Sequence, residues 1–326
     1  MKRFSAAWLA VSSVIVLWFA QDGTVSAQTY PAKPVRVIAP SSPGGPVDVI
    51  TRAVMQGMEK TLGQQIVVEN RAGAAGLIGT DYVVKQPPDG YTLLFGFSGP
   101  LAIVPNLNPN TPYDPVTDLV AITQVATAAY VLLVHPSVPA KNVKQLVALA
   151  KARPGKMNFS SGGAGTGIHM AGELFNLAAN VRILHVPYKG AAPAVTALMA
   201  GEVDMMFNGL PGAIAHIKSG KVRALAVGGA TRSPLMPDTP TIAESGLEFK
   251  TGGWYGLLAP KGTSRAIVEK VNGAVARALN TPEMKARLTK LAVEGDSSTP
   301  EAFAKLIADE KALWARVIQK AGIKMK

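Results

Sequence analysis

Three times along this chain an apolar stretch runs into a glycine-rich turn and then into a helical pattern. The turns are APSSPGGPVDV (39–49), NRAGAAGLIG (70–79) and SSGGAGTGIHM (160–170). A strand that meets a helix across a short turn is half of a βα unit, and repeated units build sheets covered by helices on both faces. The rest of the chain keeps the alternation. PVRVIAP, QQIVVEN and YTLLFGF read as strands in the first third, and KMNFS, VRILHVPY, VDMMF and VRALAVGG in the middle. Helical patterns such as VDVITRAVMQGMEKTLG, NVKQLVALAKAR and GAAPAVTALMAGE lie between them. After one more strand, WYGLLAP, helices take over. Two of them start with Thr281 or Thr299 as cap and Pro282 or Pro300 at the first helical position. In the last helix Phe303, Leu306, Ile307, Trp314, Val317 and Ile318 recur at helical spacing and form a packing face.

Two sets of α/β elements and a late helical segment predict two lobes. Residues 28–127 begin lobe 1, residues 128–250 form lobe 2, and residues 251–326 return to lobe 1. The chain must then cross twice, within AITQVATAAYVLLV and near TGGWYG. With 326 residues, 48% hydrophobic and 17% charged, there is enough apolar surface for such cores. There is no cysteine, which excludes disulfides, thiolate metal sites, a Cys nucleophile and a lipid-modified N-terminal Cys.

Residues 1–27 read as a signal peptide: Lys2 and Arg3, then the apolar AAWLAVSSVIVLWFA, then small residues at VSA before Gln28. A membrane anchor is the competing reading, and the apolar run is short for one. The expected location is the periplasm. Removing Lys2, Arg3 and Asp22 takes the formal charge from +12 to +11. The basic residues are dispersed and lack interleaved aromatics, which argues against nucleic acid and for a general pull on small anions.

A glycine turn at a helix start lets a ligand approach free N–H groups and a partial positive charge. Ser41, Ser42, Ser161 and Thr166 add hydroxyls. For any one loop, a tight turn is explanation enough; three in one chain favour an anion. A nucleotide fits poorly. Thr166 is followed by Gly167 and Ile168, not by the GK[ST] of a phosphate loop, and Gly163, Gly165 and Gly167 give G-x-G-x-G instead of G-x-G-x-x-G. For a serine nucleophile, GFSGP around Ser98 lacks the last glycine of the elbow, and Ser161 could pair with His169 but has no evident orienting carboxylate. His135, His185 and His216 are scattered without metal spacing, so neither metal nor cofactor is expected. A small carboxylate gripped by neutral donors between two lobes remains. An exported hydrolase using Ser161 or Ser98 is the alternative, and a periplasmic ligand sensor for a signalling partner is a third reading.

Several long segments, in order, carry a family resemblance. They are PVRVIAPSSPGGPVDVITR, LGQQIVVENRAGAAGLIGTDYVVKQPPDGYTLLFG, SSGGAGTGIHMAGELF, HVPYKGAAPAVTALMAGEVDMMF, GKVRALAVGGATRSPLMPDTPTIAESGL and WYGLLAPKGT. Together they resemble the Bug-type extracytoplasmic solute receptors of tripartite tricarboxylate transporters over nearly all of the mature chain. The resemblance implies no enzyme but an α/β, two-lobed periplasmic binding protein of type II-like architecture, with a two-strand hinge and a cleft between the lobes. It implies delivery of the ligand to integral-membrane transporter subunits; a monomer is expected. Carried over residue by residue, it places Ser41, Ser42, Gly44, Gly45, Asp48, Ala75, Gly76, Phe97 and Ser98 around the ligand from lobe 1. Ser161, Gly163, Thr166, His169, Asp204 and Asn208 face it from lobe 2, although Asp204 also reads as a strand-end cap. Leu77 replaces the Asn usual in such turns, and Asn208 stands where Asp is common. No Arg lies inside the loops, since Arg52 and Arg71 flank them. Asn208 removes an acid that could meet a ligand amine, and Phe97 with Leu77 could form an apolar wall. A dicarboxylate or aromatic carboxylate is therefore expected ahead of an amino acid.

Overall fold

The structure, a computed structural model, describes residues 30–41, 43–44, 46–188 and 190–323. The expected signal peptide and two of the expected site residues, Ser42 and Gly45, lie outside them. In chain order the first elements are β1 (Val35–Ala39), α1 (Pro46–Leu62), β2 (Ile66–Asn70), α2 (Leu77–Val84), β3 (Thr92–Phe97), α3 (Val104–Leu107) and β4 (Leu119–Val134). Then come α4 (Val143–Ala152), β5 (Asn158–Ser161), α5 (Gly167–Ala179), β6 (Leu184–Pro187), α6 (Ala191–Ala200), β7 (Met205–Gly209), α7 (Leu210–Lys218) and β8 (Arg223–Val227). β9 (Gly252–Pro260), α8 (Arg265–Leu279), α9 (Pro282–Lys290), β10 (Glu294–Gly295) and α10 (Pro300–Ala321) complete the fold.

β1 is apolar at four of its five positions because helices cover both faces of the parallel strands β2-β1-β3. On one face, α1 buries Ile50, Val54, Met58 and Leu62, one every fourth residue, against Val268, Val271 and Val275 of α8. On the other, Phe303 and Ile307 of α10 pack with Ile38, Val83 and Leu258, and Trp254 meets Phe303 edge-on at 5.4 Å. Lobe 2 has its own core between Val131 and Phe249, centred on Phe159, Phe175 and Phe207. Its strands β5, β6 and β7 are parallel, with β7 antiparallel to β4.

The two crossings are β4 and β9. They pair antiparallel from Leu119↔Pro260 to Ala129↔Gly252, with register shifts between Ala121 and Thr123 and between Gln124 and Ala126. β4 has 16 residues, about 53 Å of extended chain, so it belongs to both lobes and joins all strands into one mixed sheet. The sheet is less parallel than the alternation of elements suggests, because each crossing strand runs against a neighbour. VRILHVPY yields only the four-residue β6, an edge strand with Leu184 exposed. The last two helices start as their caps predict, Thr281 and Thr299 accepting from Met284 and Ala302 N–H. α10 also bridges the lobes: Trp314, Val317 and Ile318 pack with Met170 of α5. Among the described residues no helix is long and apolar enough to cross a membrane.

Candidate ligand-binding site

The glycine loops leave the carboxyl ends of β1, β2 and β5, where parallel α/β sheets place their ligands. In lobe 1 the first loop is clamped from below. Asp48, buried in the first turn of α1, accepts from Gly44 N–H at 2.8 Å, Asn70 Nδ2 at 3.0 Å and Arg52 Nε at 2.8 Å. Burial alone would raise its carboxyl, but these donors outweigh it and hold the group below the ordinary carboxylate range. Asp48 thus spends its charge on the loop and acts as a positioning residue. Asn70 also donates to Ser41 O at 3.2 Å, while the Ser41 hydroxyl is buried with no partner among the described residues.

The second loop runs through Gly73, Ala74, Ala75 and Gly76, all with positive φ (131°, 46°, 55° and 96°). For alanine this left-handed conformation costs on the order of 1 kcal/mol, so the surroundings must impose it. Gly76, next in the chain, is closely packed: a Cβ there would come within 3.0 Å of Pro100 and 3.2 Å of both Phe97 and Pro40 O. The loop is therefore pressed onto half-buried Phe97 at the end of β3. Ser98, next in the chain, donates to Glu310 Oε2 at 2.8 Å. Burial pushes the Glu310 carboxyl up, offset in part by Trp254, Ser98 and Trp314. The two indole N–H groups face it without meeting hydrogen-bond geometry.

In lobe 2, Thr166 caps α5, accepting from His169 N–H at 3.3 Å and donating to Gly163 O at 2.7 Å. That leaves Gly167 and Ile168 N–H without an intrahelical acceptor. His169 Nδ1 accepts from Gly165 N–H at 3.2 Å, so in the neutral ring the proton sits on Nε2, 3.7 Å from Glu173. The sequence suggests a Ser161–His169 pair; the fold pairs Ser161 Oγ with His185 Nε2 instead, at 2.6 Å. The two imidazoles stack at 3.9 Å. Burial, then the neighbouring His169, lowers the His185 pKa to about 4. Ser161 is fully buried and also accepts from Gly163 N–H at 3.1 Å, so this polar group is a scaffold for the loop. Tyr130 Oη faces the α5 start, where a Cβ on Gly167 would collide with it.

Asn208 lies buried at the carboxyl end of β7 and accepts from Gly209 N–H. Asp204 is a correction to the sequence reading. It precedes β7, about 13 Å down the strand from Asn208, where its carboxylate accepts from Asn158 N–H and its own N–H donates to the Asn158 side chain. It is a strand-end cap, remote from the loops. The two flanking arginines are also committed, Arg52 to Asp48 and Asn70, Arg71 to Glu69 and the Tyr82 ring. What sequence reasoning missed is Asn70, His185 and Tyr130, which reach the loops only through the fold.

Two α/β lobes on a two-strand hinge, with helix starts and glycine loops at the facing strand ends, define a periplasmic solute-binding protein. The chain belongs to the tripartite tricarboxylate transporter family receptors, TctC, whose family model matches residues 50–323. The protein BugT of Bordetella pertussis is 39% identical over 98% of both chains. The solved periplasmic binding protein BugD is 35% identical, with a TM-score of 0.78 over 91% of this chain and all of its own. An adipate-bound protein from R. palustris is 32% identical, with a TM-score of 0.81 over 90% of this chain and 99% of its own. The protein is accordingly a solute-binding receptor of the periplasmic class and not an enzyme.

Proposed function

We propose that this receptor captures a small carboxylate between its lobes and hands it to the membrane subunits of a tripartite tricarboxylate-type transporter, acting as a monomer after cleavage of residues 1–27. The carboxylate is held by the loop 41–48 and by the free Gly167 and Ile168 N–H groups at the α5 start, in a loop shaped by Ser161, Gly163 and Thr166, and helped by Ala75, Gly76 and the Phe97–Ser98 corner. His169 and Asp48 hold these loops in place. The observation that carries the reading is the donor set. The lobe 1 loop offers the Ser41 hydroxyl, which has no partner among the described residues, and the lobe 2 loop offers Gly167 and Ile168 N–H at the α5 start, while Asp48, Arg52 and Arg71 are consumed internally.

A dicarboxylate or aromatic carboxylate is the preferred ligand. The R. palustris neighbour holds adipate, a dicarboxylate. Phe97 offers an apolar wall, and Asn208 presents no charge to an ammonium group. A thermal-shift panel tests this. A ligand at a hundred times its dissociation constant should stabilise the fold by about 2.7 kcal/mol. Dicarboxylates and aromatic acids should raise the melting temperature, and amino acids less so. A shift by uncharged sugars alone would refute the carboxylate reading; amino acids as the strongest ligands would refute the inference from Asn208.

A further inference from the structure

A cavity of about 470 Å³ opens on the α10 side of the hinge. Its walls come from β4 and β9, from the lobe 2 segment 229–233 after β8, and from α10. Among the described residues, none of the three glycine loops lines it. Its size is that of a small-molecule site, and its charges are unevenly matched. Arg232 is consumed by Glu244, at 2.6 and 3.0 Å, and Asp309 by Lys305, at 2.6 Å. Among the described residues no ion pair engages the other lining charges, which are Glu294, Glu310 and Lys250. Glu294 and Glu310, the latter with its carboxyl pushed up by burial, stand against one ammonium in a protein that is strongly positive overall. Glu310 accepts from the Ser98 hydroxyl and faces the Trp254 and Trp314 indole N–H groups, all of them neutral. Thr251, 6% exposed, lines the same cavity with a buried hydroxyl that has no partner among the described residues. Leu306, Leu313 and Trp254 supply the apolar side.

We propose that this cavity is a second ligand site, taking a small organic cation. Its ammonium head meets the Glu310 and Glu294 carboxylates and the Thr251 hydroxyl, and its hydrocarbon part lies along Leu306, Leu313 and Trp254. Because the walls belong to both lobes and to the hinge, an occupant responds to lobe closure. Cation and carboxylate then alter each other's affinity by the same factor.

The test uses the mature chain with 4-phenylbutylamine and its neutral analogue 4-phenylbutan-1-ol, followed by calorimetry and saturation-transfer NMR. The amine should bind saturably and the alcohol at least about tenfold more weakly. Leu313→Arg places a side-chain cation in the cavity and should abolish amine binding while the thermal response to adipate persists. Thr251→Val, close in shape, should weaken the amine about threefold or more with the fold intact. Equal binding of alcohol and amine, undiminished amine binding in Leu313→Arg, or no saturable amine binding at millimolar concentration would each overturn the proposal.

Discussion

Asp48 offers a direct measure of how the lobe 1 loop is held. Replacing it by alanine leaves Gly44 N–H and the Asn70 amide without their acceptor and frees Arg52. The first two bonds are short and lie in a buried setting, at 2.8 and 3.0 Å. At about 1.5 kcal/mol each for a charge-assisted bond, they contribute about 3 kcal/mol. The Arg52 partner, half exposed, adds about 0.5 kcal/mol. Asp48→Ala should therefore lower unfolding stability by about 3–4 kcal/mol, and Asp48→Asn, which keeps one acceptor, by roughly half as much. Urea unfolding followed at several pH values reads this out. The folded carboxyl titrates below its unfolded value, so its contribution is complete above the ordinary carboxylate range and fades as pH falls through the depressed folded value. The gap between wild type and Asp48→Ala should close in acid. Equal midpoints at neutral pH, or a gap that does not depend on pH, would refute the clamp. A clamp also predicts weaker carboxylate binding in Asp48→Asn, since the loop loses its template without losing a ligand contact.

Ser41→Ala removes a buried hydroxyl that has no partner among the described residues, so calorimetric stability should hold or rise while carboxylate affinity drops about fivefold; unchanged affinity would remove Ser41 from the site. His185 titrates near 4 in the fold and about 6.5 when unfolded, so the unfolded state gains protons first as pH falls from about 6.5 to 4. Discounted for its partial exposure, this should cost on the order of 1–2 kcal/mol of stability across that window, and His185→Asn should flatten the slope in melts from pH 7 to 4. At Gly79 a Cβ would sit 2.7 Å from both Arg71 O and Pro40 Cβ, so Gly79→Ala should cost about 1–3 kcal/mol in urea unfolding and displace the two lobe 1 loops.

The parts of this architecture that are local in sequence were legible from it. A strand, a glycine turn and a helix start are contiguous, and so are the Thr–Pro caps of α9 and α10. The parts that needed the fold join distant residues: Asp48 with Asn70 across 22 positions, Ser161 with His185 across 24, and Ser98 with Glu310 across 212. No periodicity encodes such pairs. Ala74 and Ala75 were also hidden, because nothing in an alanine side chain favours the left-handed backbone that both adopt. Asp204 was different. VDMMF shows a strand, and ligands gather beyond the carboxyl ends of such strands, so a residue before the strand was already on the wrong side.

The same division separates how this receptor grips from what it selects. The charged side chains nearest the loops are spent on holding them: Asp48 on Gly44, Glu173 beside His169, Arg71 on Glu69. In the proposed function, what faces a ligand is therefore mostly backbone N–H with the Ser41 hydroxyl, a set that fits any carboxylate. Selection, in the same proposed function, falls to the few side chains that are not spent this way, Leu77 at the start of α2, Phe97 at the end of β3 and Asn208 at the end of β7. Exchanging Asn208 for Asp puts a charge at a buried position that the proposed function sets opposite the ligand's far end. It should weaken dianions and favour ligands that carry an amine, while a monocarboxylate keeps its affinity because the grip is untouched. Parallel loss of mono- and dicarboxylate binding in Asn208→Asp would mean that grip and selection are not separable here.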